Sequence, residues 1–258
     1  LNHEARSYQQ FRPVYPEGLF SDLLPRGGTP VPQILDLACG TGQSTASIAT
    51  HLAHAKLGAS LSACDPDPEM IATAQAEAPE LAHWIVAPAE KLPYSDAQFD
   101  AVVILSAYHW FDRSRADSEI LRVLKPGGRL LIAEYQFPVA PALPELNAWV
   151  RRSFNTTWKF PDQKPRGRLR DLTGSLLTHP RVRSAHWERI PMEQTLTPAE
   201  LTGLLSSQAR FIAHQRTLDD DSARAQHLED TLVEATRFMP EGAAKFDFRL
   251  TRVLAHLH

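Results

Sequence analysis

Little in this chain can cross-link, chelate a metal or span a bilayer. Cysteine occurs only twice in 258 residues, at Cys39 and Cys64. That is too few for the disulfide framework of a small secreted domain. Both are read as buried, reduced thiols, close together because each lies at the end of a predicted neighbouring strand. No His, Cys, Asp or Glu grouping has metal-ligand spacing, so no metal is expected. No apolar run approaches the roughly 18 residues that a membrane-spanning helix needs, and no membrane association is expected. A surplus of one charge is missing as well: 27 Lys and Arg face 30 Asp and Glu, a net of −3, which gives no global attraction to nucleic acid. There is no internal repeat and no low-complexity segment. Leu1-Asn2-His3-Glu4 does not open a charged-then-apolar leader, and a cytoplasmic location is the expectation.

What is present is ordinary for a globular protein, with 43% apolar and 22% charged residues. The length suits one large α/β domain with an elaborated cap. The most informative stretch is Ile34-Leu35-Asp36-Leu37-Ala38-Cys39-Gly40-Thr41-Gly42, an apolar strand breaking into a tight glycine turn, with a helix from Ser44 to Leu57. Glycines at the carboxyl end of a parallel strand let backbone approach a ligand closely. The third glycine of the dinucleotide fingerprint would stand at Thr45, and a carboxylate, Asp36, sits inside the strand end. That charge repels a pyrophosphate and attracts an ammonium or sulfonium.

Residues 31 to 135 alternate apolar runs with helical patterns, the signature of a doubly wound sheet. Strands are predicted at Gln33–Leu37, Ser60–Cys64, Trp84–Ala87, Ala101–Ser106 and Arg129–Tyr135. Asp67-Pro68-Glu69 starts a helix that Pro79 stops, and a helix over about Asp112–Leu124 is closed by Lys125-Pro126-Gly127-Gly128. Helical segments follow near Leu146–Phe154, Leu169–Leu177, Pro198–Gln208 and Asp221–Phe238. A sixth strand is predicted in Arg183–Gln194 and one final antiparallel strand over Phe246–Leu254. The reading is thus an α/β, Rossmann-like, doubly wound, seven-stranded and mostly parallel sheet with an antiparallel last strand and a helical cap. Residues 1–135 form the N-terminal cap segment and core, and residues 136–258 the cap and closing edge strands of the same domain.

These pieces resemble the class I S-adenosylmethionine-dependent methyltransferases. Asp36 to Gly42 is similar to the family's first motif and Asp65 to its acidic residue after strand two. Ala89-Glu90-Lys91-Leu92-Pro93 is similar to the segment after strand three, and Leu121-Arg122-Val123-Leu124-Lys125-Pro126-Gly127-Gly128 to the turn before strand five. Tyr8-Gln9-Gln10-Phe11-Arg12-Pro13-Val14-Tyr15-Pro16 and Ala107-Tyr108-His109-Trp110-Phe111-Asp112 look like the small-molecule branch that contains trans-aconitate methyltransferase.

The resemblance implies S-adenosyl-L-methionine as cofactor and S-adenosyl-L-homocysteine as product. Gly40 and Gly42, with Ala38, would line the methionine part of the cofactor. Asp36 would face its amino group, with a loop or helix cap as the plainer role, and Asp65 would accept both ribose hydroxyls. Pro66 and Met70 would pack on adenine, and Ala89 and Glu90 would border it. Pro88 departs from the family, since it stands where an acidic or amide side chain often binds the adenine amine. Arg12, with Tyr8 or Tyr15, would close over the cofactor from the N-terminal segment, and Ser106 would border it. His109 is the candidate catalytic base near neutral pH. It is weighed evenly against a hydrogen-bonded structural role, and Trp110 is read first as packing. Tyr15, Tyr108, His109 and Trp110 are the candidate acceptor-binding residues.

Between residues 151 and 170, Arg151, Arg152, Lys159, Lys164, Arg166, Arg168 and Arg170 face the single acid Asp162, with Phe154, Trp158 and Phe160 interleaved. A solvated cap loop is the first reading, capture of an anionic acceptor the second, and nucleic acid the third. The function expected is methylation of a small-molecule acceptor at oxygen or nitrogen, the acceptor being anionic or heteroaromatic. A nucleotide-dependent oxidoreductase and a catalytically silent cofactor-binding protein are the alternatives, and monomer and homodimer both stay open.

Overall fold

The computed structural model describes residues 11–24, 31–158 and 168–258. The strands are β1 Gln33–Leu37, β2 Ser60–Asp65, β3 His83–Val86, β4 Phe99–Leu105, β5 Leu124–Glu134, β6 Val182–Ile190, β7 Glu193–Leu196, β8 Ala244–Asp247 and β9 Leu250–Leu257. Seven of them form one sheet in the order β3-β2-β1-β4-β5-β9-β6. Pairing is parallel from β3 through β5, and β9 runs antiparallel to both β5 and β6. The sheet is therefore the mostly parallel, seven-stranded, Rossmann-like one expected, with its last strand reversed.

The crossovers of the first half are α1 Gln43–His54, α2 Pro68–Glu77 and α3 Arg113–Val123. The second half supplies α4 Pro144–Asn155, α5 Leu169–Leu172, α6 Gly174–Leu177, α7 Pro198–Ser206, α8 Ala209–Gln215 and α9 Asp221–Phe238. Helix starts follow local chemistry. Asp67 accepts the Glu69 amide with Pro68 in the first turn, Thr197 and Glu200 make a reciprocal capping box, and Asp220 accepts the Ala223 amide.

The period-two alternation of buried strands divides the core between the two faces of the sheet. Ile34, Val103, Leu131 and Ala133 pack on one side with Phe20, Leu201 and Leu205. Leu35, Val102, Ile104 and Ile132 pack on the other with Ile120 and Leu121 of α3. The 3₁₀ turn Glu17–Phe20 is held on the first face by the buried Arg252, which donates to the carbonyls of Leu19 at 2.7 Å and Ser21 at 2.9 Å and also bonds Glu188. The Phe11 ring lies against Gly203 of α7, in the space a side chain there would fill.

Three expectations are corrected. The single final strand is two: Arg249 takes a left-handed φ of 47°, its amide donates to Asp247 Oδ1 at 2.7 Å, and β8 leaves the main sheet to pair with β7. The alternation of apolar residues runs straight through this break, so periodicity does not register it. The segment Leu169–Leu177 is two single turns, and α8 is a helix that the pattern did not announce. Lys125 to Gly128 lie within β5 rather than ahead of it.

Candidate active site

At the boundary between β1 and β4 the sheet order reverses, β1 leading outward to β2 and β3, and β4 to β5. Open α/β sheets bind ligands beyond the carboxyl ends of strands at such a point. Here the loop after β1 carries three left-handed residues, Ala38 at φ 62°, Gly40 at φ 55° and Gly42 at φ 85°. The two glycines do different work. A side chain on Gly40 would meet no atom within 4 Å, so open space lies in front of its backbone. A Cβ on Gly42 would stand 2.8 Å from Trp84 and 3.2 Å from Ala74. Gly42 is thus required by packing against the protein's own Trp84.

Asp36 is buried, and its Oδ2 accepts the hydroxyls of Ser44 and Thr45, both at 2.6 Å. Thr45, at the position of a fingerprint glycine, therefore fastens the carboxylate. Oδ1 has no hydrogen-bond partner among the described residues. Burial raises the Asp36 pKa from 3.8 to about 6, the two hydroxyls opposing and the Asp65 charge adding to the rise. An acceptor atom left bare in the interior suits a cationic N–H donor.

Asp65, ending β2, is oriented by two backbone amides. Its Oδ2 accepts from Gly40 at 2.9 Å and its Oδ1 from Asp67 at 3.0 Å. Burial raises its pKa while those amides oppose the rise. Pro66 is exposed beside it, and Met70 is half-buried in the first turn of α2. Ala89 is buried. Glu90 accepts the Asp112 amide at 2.8 Å, tying its loop to the start of α3. That bond gives the Glu90 side chain a structural task its expected place bordering adenine did not include.

The N-terminal segment crosses this edge. Gln43 donates to the Arg12 carbonyl at 2.9 Å, and the Arg12 guanidinium donates to the Tyr135 hydroxyl at 3.0 Å and the Ser207 carbonyl at 3.1 Å. Tyr15 donates to Ser106 Oγ at 3.1 Å. Tyr8, and Lys159, Phe160, Asp162, Lys164 and Arg166 of the basic stretch, lie outside the described residues.

Beside Ser106 opens a cavity of about 860 Å³. Arg12, Ser106, His109, Trp110 and Glu134 line it from the first half of the chain, and Arg168, Arg170 and Arg210 from the cap half, together with Glu188 and Arg189 of β6. Arg210 is held by the Phe154 carbonyl at 2.8 Å, and Arg170 lies 5.4 Å from the Trp187 ring centroid. His109 Nδ1 is hydrogen-bonded to Glu134 Oε1, and its Nε2 is buried without a partner among the described residues. Trp110 is 59% exposed, which corrects its reading as a packing residue. Tyr108 is fully buried and its hydroxyl donates to Asp117 at 2.6 Å. It faces α3 and away from the cavity, so its expected contact with an acceptor is withdrawn. The 3₁₀ turn Tyr108–Trp110 separates the neighbours: with three residues per turn, Tyr108 and His109 point to different sides. A second groove, of about 930 Å³ between α3 and α6, receives none of the other candidate site residues.

Sequence reasoning missed Glu134, Arg189 and Arg210. Glu134 carried one signal, a charge closing a buried apolar run at the carboxyl end of a strand. Arg189 and Arg210 carried none.

Residues 35–132 match a family model described as a methyltransferase domain. An uncharacterised methyltransferase of Mycobacterium tuberculosis is 37% identical over 124 residues, 48% of this chain and 47% of that protein. A demethylmenaquinone methyltransferase of Beutenbergia cavernae is 35% identical over 131 residues, 50% of this chain and 52% of that one. The matches thus span about half the length of these curated relatives. The structure of a candidate type II methyltransferase from Anaeromyxobacter dehalogenans is 25% identical and superposes with a TM-score of 0.64 over 95% of this chain and 97% of that one. With the sheet order and the glycine turn already in place, residues 35–132 are thus similar to a methyltransferase domain, and the fold is shared with the Anaeromyxobacter structure.

Proposed function

We propose that this protein transfers a methyl group from S-adenosyl-L-methionine to a small-molecule acceptor, releasing S-adenosyl-L-homocysteine. The observation that carries the reading is the pairing of two fitted surfaces at one sheet edge. The cofactor-side loop has an orphaned buried carboxylate oxygen on Asp36, open space at Gly40 and a second carboxylate held by amides at Asp65. Those groups suit an amino-acid ammonium, a close-lying chain and a vicinal diol respectively. Ala38, Pro66, Met70, Ala89 and Ser106 complete the cofactor's border, and Arg12 and Tyr15 bridge from it to the acceptor cavity.

When bound, the cofactor supplies an already activated methyl on a sulfonium. The protein's share is then alignment, exclusion of water and management of the acceptor's proton, and alignment alone can supply on the order of 7 to 11 kcal/mol. His109 serves as the base, and Trp110 and Tyr15 flank the acceptor. In the second half of the chain, Arg168, Arg170, Arg189 and Arg210 have no carboxylate within ion-pair distance among the described residues. Such a wall suits an anionic part of the acceptor. It argues for a polar metabolite here, although the Beutenbergia relative is named for a quinone. Residues 1–135 supply the cofactor-binding core with one wall of the acceptor cavity, and 136–258 supply the cap over it. No helix among the described residues is long and apolar enough to cross a membrane, and a cytoplasmic site of action completes the proposal.

Calorimetric titration tests the reading. S-adenosylhomocysteine should bind and NADH should not. Binding of NADH instead, or of neither, would remove the methyltransferase assignment. Binding of the product without methylation of any compound in a broad metabolite panel would identify a silent cofactor-binding protein.

A further inference from the structure

The methyl-transfer reading leaves open what kind of atom is methylated, and the His109–Glu134 pair bears on it. His109 stands in the turn just past β4, and Glu134 is the last residue of β5. The two strands are parallel neighbours in register Leu105 with Ala133, and the ladder continues through the Ser106 amide to the Ala133 carbonyl at 2.8 Å. The sheet itself therefore sets the spacing of imidazole and carboxylate. Tyr108, pinned to Asp117 on the opposite side, holds the turn from behind.

The His109 side chain is 5% exposed and that of Glu134 18%, yet both line the cavity. The polar atoms of a buried side chain normally find hydrogen-bond partners. Here Nδ1 has the carboxylate and Nε2 has no partner among the described residues. A carboxylate accepts only, so it draws the ring proton to Nδ1 and leaves the lone pair on Nε2.

We infer that Glu134 is the positioning residue for His109, holding it as the Nδ1–H tautomer with Nε2 as base, and that the acceptor is therefore protic: a hydroxyl, phenol or ring N–H. This rests on the methyl-transfer reading above. The X–H proton passes to Nε2, the X–CH₃ bond forms as the CH₃–S bond breaks, and the bonding pair of that bond stays on sulfur. Glu134 stabilises the imidazolium until its proton leaves to solvent. A carboxylate acceptor has no proton to give up, and a buried base beside it would have no task. The arginine wall then holds a different part of the acceptor from the part that is methylated.

The test uses the full chain labelled with ¹⁵N-histidine, with His109→Gln assigning the His109 ring signals. At a pH of about 8 the wild type should show a protonated Nδ1 and a bare Nε2. Glu134→Leu should move the proton toward Nε2. Glu134→Gln, whose amide oxygen still accepts, should restore the wild-type pattern. A wild-type proton on Nε2, or ring shifts unchanged in Glu134→Leu, would overturn the positioning role. In methyl transfer to a metabolite panel, Glu134→Leu should lower kcat about 100-fold with KM and S-adenosylhomocysteine affinity unchanged, and products should be ethers or N-methyl compounds. A methyl ester as the product would overturn the acceptor class. Failure of S-adenosylhomocysteine to bind would sink the methyltransferase reading instead, while the tautomer measurement, which needs no cofactor, would still decide the role of Glu134.

Discussion

The two sides of the carboxyl edge are built from different materials. On the side of β1 and β2 the surface is backbone in left-handed conformations with two carboxylates, Asp36 and Asp65, held by hydroxyls and amides 2 to 25 positions away. On the cap side it is long cationic side chains from separate elements converging on one cavity. Each side also holds an ionisable group whose pKa is shifted by burial, and the two answer pH in opposite directions. Asp36 has its pKa raised to about 6, chiefly by burial. His227, in α9, has its pKa lowered from 6.5 by burial, with His214 adding and Asp230 opposing. His227 Nε2 accepts the Trp158 indole N–H at 3.0 Å, and its ring stacks on Phe211. A backbone-built surface thus faces a side-chain-built one, and perturbations should separate them.

The largest effect should come from Gly42→Ala. Its φ of 85° and the 2.8 Å approach to Trp84 leave no room for a methyl group, and a loss of about 2 to 4 kcal/mol is expected. Urea denaturation would measure it, together with loss of S-adenosylhomocysteine binding. A variant of wild-type stability would show that the turn is not packed as described.

Asp36→Asn comes next and should split stability from binding. Because the folded chain holds the Asp36 proton more tightly than the unfolded chain, stability present below about pH 4 is lost as pH rises through 6. About two pK units correspond to about 3 kcal/mol. The asparagine variant should therefore melt several degrees higher than wild type at about pH 8, yet bind S-adenosylhomocysteine about tenfold more weakly. Unchanged affinity would detach Asp36 from the cofactor's ammonium.

Arg210→Gln sharpens the contrast from the other side. The Michaelis constant for an anionic acceptor should rise about tenfold, with cofactor-product affinity untouched. An equal loss of both would mean the two surfaces are coupled rather than separate.

The smallest effect is that of His227→Gln. The wild-type cap should be stable above pH 6.5 and lose stability as pH falls, because the unfolded chain protonates His227 more readily than the folded one. In the variant, thermal melting between about pH 5 and 7 should flatten. A profile identical to wild type would place the acid sensitivity elsewhere.

Legibility in the sequence followed the range of the interactions. The glycine turn, the hold on Asp36 and the helix starts at Asp67 and Thr197 are decided by residues no more than nine positions apart, and the parallel core follows from alternating apolar runs joined by helices. Tyr108 and His109 are neighbours with similar local surroundings, and a single 3₁₀ turn sends one into the core and the other to the cavity. The break at Arg249 was hidden because Phe248 stays buried through it.

What the sequence determined by itself is therefore the parallel core and its cofactor-side loop, since hydrophobic period, glycine and capping chemistry act within one turn or strand. Only the tertiary structure decided that Glu134 meets His109 across 25 positions, and that arginines from α5, β6 and α8 share a wall. Those contacts depend on strand register and on how the cap sits over the sheet, neither of which leaves a pattern in a local stretch of chain.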